Sequence, residues 1–204
     1  MSIEININGQ IWMTKSLKTT QFANGDEIPF AKTKKDLSEL TKIKSPAYCY
    51  SAYKKSNTEE YGLLYNYYTI EDPRGLAPDG WRIPIVDDFK KLFDSISLLD
   101  KLVSSTLKKP GFWGEGILNN QNGFNAVPSG SISFYNNQPF FCANNSKFQC
   151  GLATFCPNKI KEYDFVDYIN IHNHNENNQN FQLLKSCPKW DLNAIRCIKI
   201  VTNL

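Results

Sequence analysis

The sequence lacks any apolar run near the ~20 residues that span a bilayer, so it predicts no transmembrane helix and no membrane insertion. It also lacks an excess of one charge, because 23 Lys and Arg residues stand against 20 Asp and Glu residues. That balance argues against a nucleic-acid partner. The N-terminus shows no basic stretch followed by an apolar core, so we expect no signal peptide. Two locations stay open: cytoplasmic synthesis with particle assembly, or an extracellular location if a leader was removed.

Motifs for catalysis and cofactors are missing as well. The sequence has no Gly-x-Ser-x-Gly, no phosphate-binding loop and no dinucleotide fingerprint. The carboxylate pairs Glu59-Glu60 and Asp87-Asp88 are typical of helix starts, where negative charge interacts well with the helix dipole. The sequence therefore predicts a protein that is not an enzyme and has no cofactor.

No Cys-x-x-Cys pair occurs among the six cysteines, which disfavours a zinc ribbon or a thioredoxin-like site. Six cysteines can pair in many ways, and the sequence alone does not choose among them. Two interpretations remain open: buried thiols, or one or two disulfides formed outside a reducing compartment.

The sequence contains enough apolar and aromatic residues to form a hydrophobic core. Four Trp, 10 Tyr and 13 Phe residues exclude disorder of the whole chain. A length of 204 residues, with no internal repeat and no linker, favours a single domain over residues 1–204.

Local patterns predict a mixture of helices and strands. Ile3, Ile5 and Ile7 alternate with polar residues before Asn8-Gly9, which predicts a β-hairpin ending at Met13. Phe89, Leu92, Phe93 and Ile96 follow helical spacing, so we expect a helix capped by Asp87 or Asp88 that ends near Leu99.

Further elements are expected on either side of that helix. Residues 47–53 could form a strand, and residues 61–70 read as one short helix. Residues 165–171 and 194–201 are predicted to be the final strands. With helices early and loops late around a small antiparallel sheet, the fold class is α+β.

Asparagine is concentrated late in the chain: 17 of 22 asparagines lie at or after Asn119, which indicates a loop-rich, polar second half. Amides and aromatic rings are the groups that hold sugars, and protein interfaces also favour them. We therefore predict a ligand-binding surface in this half, made of Tyr135, Asn136, Asn137, Gln138, Asn144, Asn145, Asn173 and Asn175.

One weak metal-binding pattern is present. His172 and His174 are two residues apart and share a face if they lie on a strand, with Glu176 as a third ligand for Ca²⁺ or another divalent ion. The alternative is an asparagine-rich hairpin tip in which the histidines are incidental.

Several segments together resemble the Fibrobacter succinogenes major paralogous domain, a family common in Bacteroidetes. The longest is Tyr61–Tyr68 followed by Asp72–Pro84, which contains Asp-Gly-Trp-Arg-Ile-Pro. Shorter segments fall in the family's order over nearly the whole chain: residues 11–13, 17–20, 24–29, 46–50, 122–124, 128–130 and 195–199. The chain departs from the family at Thr154–Pro157, where Trp-Ser-Ser is usual, and at Ile85–Asp87, where a Ser-Asp cap is usual.

The resemblance implies a C-type lectin-like fold, in the branch that includes formylglycine-generating enzymes. In such a fold two helices and a small twisted antiparallel sheet precede a long loop-rich second half. Cys49 and Cys197 stand at the two positions where the family carries cysteine, and this resemblance implies that they lie close together and can be bonded.

The motifs of two related activities, calcium-dependent sugar binding and formylglycine generation, are incomplete in this sequence. Sugar-binding C-type lectins hold Ca²⁺ with Gln-Pro-Asp or Glu-Pro-Asn plus Trp-Asn-Asp, but here Phe140 follows Gln138-Pro139 and Leu192 follows Trp190-Asp191. Formylglycine-generating enzymes use two closely spaced cysteines, whereas Cys187 and Cys197 are ten residues apart.

Three functions therefore remain, in order of preference. The first is a recognition or adhesion module for a glycan or a protein on a cell or particle surface. The second is a structural or receptor-binding component of a phage particle or contractile injection machine, whose partners would be other virion or assembly subunits. The third is a formylglycine-type oxidase.

Overall fold

The computed structural model describes residues 4–97, 107–112, 120, 122–136, 138–142, 149–153, 165–172 and 181–200. The helices are α1 (Lys34–Lys42), α2 (Thr58–Tyr61), α3 (Tyr67–Ile70) and α4 (Val86–Ser97). The strands are β1 (Glu4–Ile7), β2 (Gln10–Met13), β3 (Tyr48–Tyr50), β4 (Leu63–Tyr65), β5 (Trp81–Arg82), β6 (Ser131–Tyr135), β7 (Gln138–Cys142), β8 (Gln149–Ala153), β9 (Phe165–His172), β10 (Phe181–Pro188), β11 (Asn193–Ala194) and β12 (Ile198–Lys199).

These strands form three sheets, and the fold is α+β as the sequence predicted. The strand orders are β1-β2-β12-β5, β10-β9-β8-β11-β4-β3 and β6-β7. Strand β11 is parallel to β8 and antiparallel to β4. In the described part of the second half, β9 and β10 are each eight residues long and pair with each other, so these strands are prominent there.

The N-terminal hairpin is confirmed, with Ile7 paired to Gln10 around the Asn8-Gly9 turn. Asn8 and Gly9 both adopt positive φ, as this type of two-residue turn requires. Helix α1 was not predicted. It begins with a capping box in which Thr33 Oγ1 accepts from the N–H of Asp36 at 3.2 Å, and the Thr33 N–H donates to Asp36 Oδ2 at 2.8 Å.

The segment around residue 62 is broken where one helix was expected. Gly62 lies at φ +75° between α2 and β4, and a Cβ built there would be 2.7 Å from the Cβ of Ser16. The close approach of segment 16–17 therefore requires glycine and ends α2. The strand expected over residues 47–53 stops at Tyr50, because Ala52 and Tyr53 take positive φ.

Helix α4 confirms the predicted helix through Ser97, but its cap differs. Neither Asp87 nor Asp88 is the N-cap residue, because the helix begins at Val86. Instead Asp88 turns back, and its Oδ2 accepts the N–H of Ile85 at 2.7 Å. The same carboxylate forms two hydrogen bonds with the guanidinium of Arg82, at 2.6 and 2.7 Å. This ion pair joins β5 to the first turn of α4.

Two hydrophobic cores lie beside the six-stranded sheet. The first, the Trp12 core, places Phe89 and Phe124 at ring-centroid distances of 5.0 and 5.6 Å from fully buried Trp12. The second, the Tyr65 core, surrounds buried Tyr65, whose hydroxyl donates to the carbonyl of Thr19 at 2.8 Å. Alternate residues of β4 enter different cores, since Leu64 lies in the first and Leu63 and Tyr65 lie in the second.

Asn66 connects β4 to α3 and to the segment before β3. Its Oδ1 accepts from Ala47 N at 3.0 Å, from Thr69 N at 3.1 Å and from Thr69 Oγ1 at 2.8 Å. Its Nδ2 donates to the carbonyl of Ser45 at 2.9 Å. The side chain is fully buried, so both ends of one amide satisfy polar groups that water does not reach.

The longest helix of the described residues is α4, at 12 residues. Within this part of the chain, no helix combines the length and the apolar character that a membrane span requires.

We expect Asn66→Ala to lower the free energy of unfolding by about 2–4 kcal/mol, because it removes a helix cap and takes away the amide donor to the Ser45 carbonyl. Urea unfolding followed by circular dichroism measures the change. Asn24→Ala is the matched control: it removes an exposed asparagine whose side chain accepts from Asp26 N at 3.0 Å and hydrogen-bonds the Asp26 carboxylate, and it should cost about 0.5 kcal/mol. Equal losses for the two variants would contradict the role assigned to Asn66.

Candidate functional site

The β6–β7 hairpin carries the described part of the predicted binding surface. Tyr135 pairs with Gln138 across the turn, and Asn136 adopts φ +49°. Ser133 pairs with Phe140 and Ile132 with Phe141. Because side chains alternate along a strand, the hairpin has two faces of different character.

One face of the hairpin packs on the protein. Ile132 is fully buried in the Trp12 core, and Phe134 and Phe141 pack against that core. The ring of Phe141 lies over Gly130, where a Cβ would overlap the ring. This face fixes the hairpin in place.

The opposite face, which we call the exposed hairpin face, consists of Ser133, Tyr135, Gln138 and Phe140. Tyr135 is 72% exposed and Phe140 is 42% exposed. They are diagonal neighbours across the two strands, a relation within reach of two aromatic side chains. The two adjacent phenylalanines of β7 differ in position, with Phe140 on the surface and Phe141 against the core.

The hairpin is joined to the six-stranded sheet through residues 191 and 192. The N–H of Ile132 donates to the carbonyl of Leu192 at 2.9 Å, and the N–H of Leu192 donates to the carbonyl of Ile132 at 2.8 Å. Buried Asp191 accepts hydrogen bonds from the side chain of Ser133 and from the backbone N–H of Phe134. Its Oδ1 has no hydrogen-bond partner among the described residues.

Burial raises the pKa of Asp191 to about 7, although its two hydrogen bonds act in the opposite direction. An exposed aspartate in an unfolded chain titrates near pH 4. The carboxyl is therefore neutral in the folded protein under mildly acidic conditions, where it would be charged in the unfolded chain. Since Asp191 accepts a hydrogen bond from Ser133, this titratable carboxyl lies beside the exposed hairpin face.

Several predicted site residues lie outside the described part of the chain. They are Asn137, Asn144, Asn145, Asn173, Asn175, His174 and Glu176. His172 is the last residue of β9, and its backbone pairs with Gln149. The suggested metal site of His172, His174 and Glu176 thus stays a prediction. Among the described residues, no group of three His, Cys, Asp or Glu side chains is placed to hold a metal ion.

The structure contains no bond between Cys49 and Cys197, which are both free, buried thiols. Cys49 lies in the Trp12 core and Cys197 in the Tyr65 core. The alternation of β3 and β4 explains this separation, since Cys49 pairs with Leu64 and both side chains enter the Trp12 core.

A second candidate site is a cavity, which we call the lysine cavity and which was not predicted from the sequence. It encloses about 640 Å³ between segment 13–18 and residues that include Glu60, Trp81, Lys109 and Arg196. Lys109 lies 49 residues from its ion-pair partner Glu60, at an Nζ–Oε2 distance of 2.8 Å. No local pattern reveals a site assembled from such distant segments.

We expect the free energy of unfolding to fall between about pH 4 and pH 7 because of Asp191. The sign follows from its raised pKa: its contribution is fully present below the unfolded pKa and is lost as pH rises through the folded pKa of about 7. Asp191→Asn should therefore be near wild type at pH 5 and more stable by about 2–4 kcal/mol at pH 8. Urea unfolding at the two pH values measures the difference.

Asp79→Asn, which changes an exposed aspartate, is the control for that comparison. It should leave the difference between the two pH values unchanged. If Asp191→Asn is no more stabilising at pH 8 than at pH 5, the buried carboxyl does not titrate as described.

Comparison with known proteins identifies the family. A search of curated proteins found no match, and neither did a search of solved structures. The model of the Fibrobacter succinogenes major domain matches residues 5–199, which is nearly the whole chain. The chain therefore belongs to the Fibrobacter succinogenes major domain family.

Proposed function

We propose that the chain is a single C-type lectin-like domain and a non-enzymatic recognition or adhesion module. Its target is a glycan or a protein on a cell or particle surface, bound through the exposed hairpin face. The observation that carries the proposal is the pair of exposed aromatic side chains, Tyr135 and Phe140, on a hairpin whose other face is anchored in the core.

The chemistry of this face suits recognition. Aromatic rings offer a large apolar area together with few rotatable bonds, so little entropy is lost when a ligand orders them. Gln138 and Asn136 add amide donors and acceptors on exposed positions at the tip. An anchored backbone presents these groups without a folding cost on binding.

The properties of the two described thiols support a role without thiol chemistry. Burial raises the pKa of Cys197 to about 12, and burial also raises the pKa of Cys49. A nucleophilic or oxidisable cysteine needs an accessible thiolate, and neither thiol supplies one near neutral pH. Cys197 is one of the two cysteines that the oxidase hypothesis requires, so its burial weighs against that hypothesis.

We expect Tyr135→Ala and Phe140→Ala each to reduce ligand binding about tenfold or more, since a buried aromatic contact contributes more than 1 kcal/mol at a binding hot spot. The measurement is a glycan array probed with the purified chain, with Ca²⁺ and with EDTA, followed by titration of the strongest ligand. Ile200→Ala is the matched control, because Ile200 is an exposed apolar residue that follows β12 in another sheet.

Each outcome of the array assigns the function differently. A sugar ligand whose binding survives both aromatic substitutions would remove the exposed hairpin face as the site. No glycan binding by a folded chain would favour a protein partner or the alternative role as a phage or injection-machine component. Loss of binding in EDTA would bring a metal ion into the site.

Native thiol reactivity tests the non-enzymatic proposal separately. We expect Cys49 and Cys197 to resist iodoacetamide in the native chain at pH 8, because both are buried and protonated. Both should react after unfolding without a reductant, as peptide mass spectrometry would show. Rapid native labelling of Cys197 would contradict the proposal, and protection after unfolding would reveal a bond.

A further inference from the structure

The lysine cavity has the size of a small-molecule site. Its volume of about 640 Å³ falls within the range of ligand pockets in proteins. Segment 13–18 forms one wall and Trp81, Lys109 and Val127 contribute to the others. The exposed hairpin face does not contribute a residue to it, so an inference about this cavity does not rest on the proposed function.

Positive charge predominates in the lining. Lys15, Lys18, Lys109 and Arg196 line the cavity, against a single carboxylate, Glu60. Arg196 is almost fully buried, and its guanidinium donates to the carbonyls of Phe124 and Asn125. The lining therefore favours a ligand that carries negative charge.

Ion pairs within the protein engage only some of these cations. Lys109 Nζ is 2.8 Å from Glu60 Oε2, and Lys18 Nζ is 2.9 Å from Glu59 Oε2. Lys15 is exposed and makes no hydrogen bond or ion pair with the described residues, although its charge helps to lower the pKa of Glu59. Lys15 thus supplies a positive charge that is available to a ligand.

Apolar side chains complete the cavity. Met13, Leu17, Trp81 and Val127 line it alongside the cations. A bare inorganic ion would not cover the apolar surface that these side chains expose to the cavity, whereas a ring or short aliphatic body would cover it. Ser16 lies in the same wall, and its buried Oγ has no hydrogen-bond partner among the described residues.

We propose that the lysine cavity binds a small organic anion. Its carboxylate pairs with the lysines, and its ring or aliphatic body packs against the apolar wall that includes Trp81. Two sources share this chemistry, namely an acidic sugar and an aromatic or aliphatic acid. Charge on the ligand and an apolar or ring-shaped body are both required.

Isothermal titration of the full chain tests the ligand class. The probes are D-glucuronate with neutral D-glucose, and benzoate with neutral benzyl alcohol. At least one acid should bind about tenfold or more tightly than its neutral counterpart, since charge-assisted hydrogen bonds are lost in the neutral compound. Preference for glucuronate would identify an acidic sugar, and preference for benzoate would identify an apolar acid.

Two charge variants test whether the acid binds in the lysine cavity, because we expect them to change its affinity in opposite directions. Lys15→Gln should weaken binding of the preferred acid about tenfold. Glu60→Gln should strengthen it several-fold, because it removes the competing carboxylate and releases Lys109. Lys32→Gln is the matched control, as an exposed lysine that does not line the cavity, and should leave affinity unchanged. Circular dichroism and thermal melting of each variant report whether the fold is retained.

Several results would overturn the proposal. These are the absence of binding by either acid at millimolar concentration, equal binding of the neutral compounds, and equal binding of inorganic phosphate. A change in the same direction for Lys15→Gln and Glu60→Gln in folded variants would also overturn it, because a ligand anion must respond oppositely to the loss of a cation and of a carboxylate.

Discussion

The buried amide of Asn66 makes the hydrogen bonds that connect α3 to the segment before β3, and α3 in turn contacts the segment behind the exposed hairpin face. It fixes the start of α3 against the segment that leads into β3, through hydrogen bonds to Ala47 and Ser45. The first residue of α3, Tyr67, then donates its N–H to the carbonyl of Lys189 at 2.9 Å. Lys189 in turn pairs with Glu71 at 2.8 Å. The segment that carries Asp191 and Leu192 toward the hairpin is therefore tied to the first turn of α3, which the Asn66 side chain caps.

Local sequence patterns were sufficient to predict the elements whose structure depends on their own residues. The Asn8-Gly9 turn needs positive φ, and the spacing of Phe89 to Ile96 needs one buried helix face, so both were predicted correctly. The predictions failed where distant segments decide. Gly62 breaks a predicted helix because segment 16–17 approaches it, and no pattern within residues 61–70 contains that information.

The candidate sites divide in the same way. Tyr135, Asn136 and Gln138 could be predicted because aromatic and amide residues cluster in the sequence itself. The burial of Asp191 could not, since it depends on contacts with Ser133 and Phe134 almost sixty residues earlier. The lysine cavity is likewise lined by residues that are distant in sequence, such as Lys109 and Glu60, which are 49 residues apart and form an ion pair. Charge pairing at this separation is a property of the fold.

The two faces of the hairpin are under different constraints, because one contacts the core and the other is exposed. Residues 132, 134 and 141 contact the core, whereas residues 133, 135, 138 and 140 alternate with them on the other side. Of these four, only Ser133 is tied to the sheet, through Asp191. Selection can therefore act on the remaining three positions almost independently of folding. A lineage could change the chemistry of this surface by substituting three side chains, while the anchoring residues and the backbone stay the same.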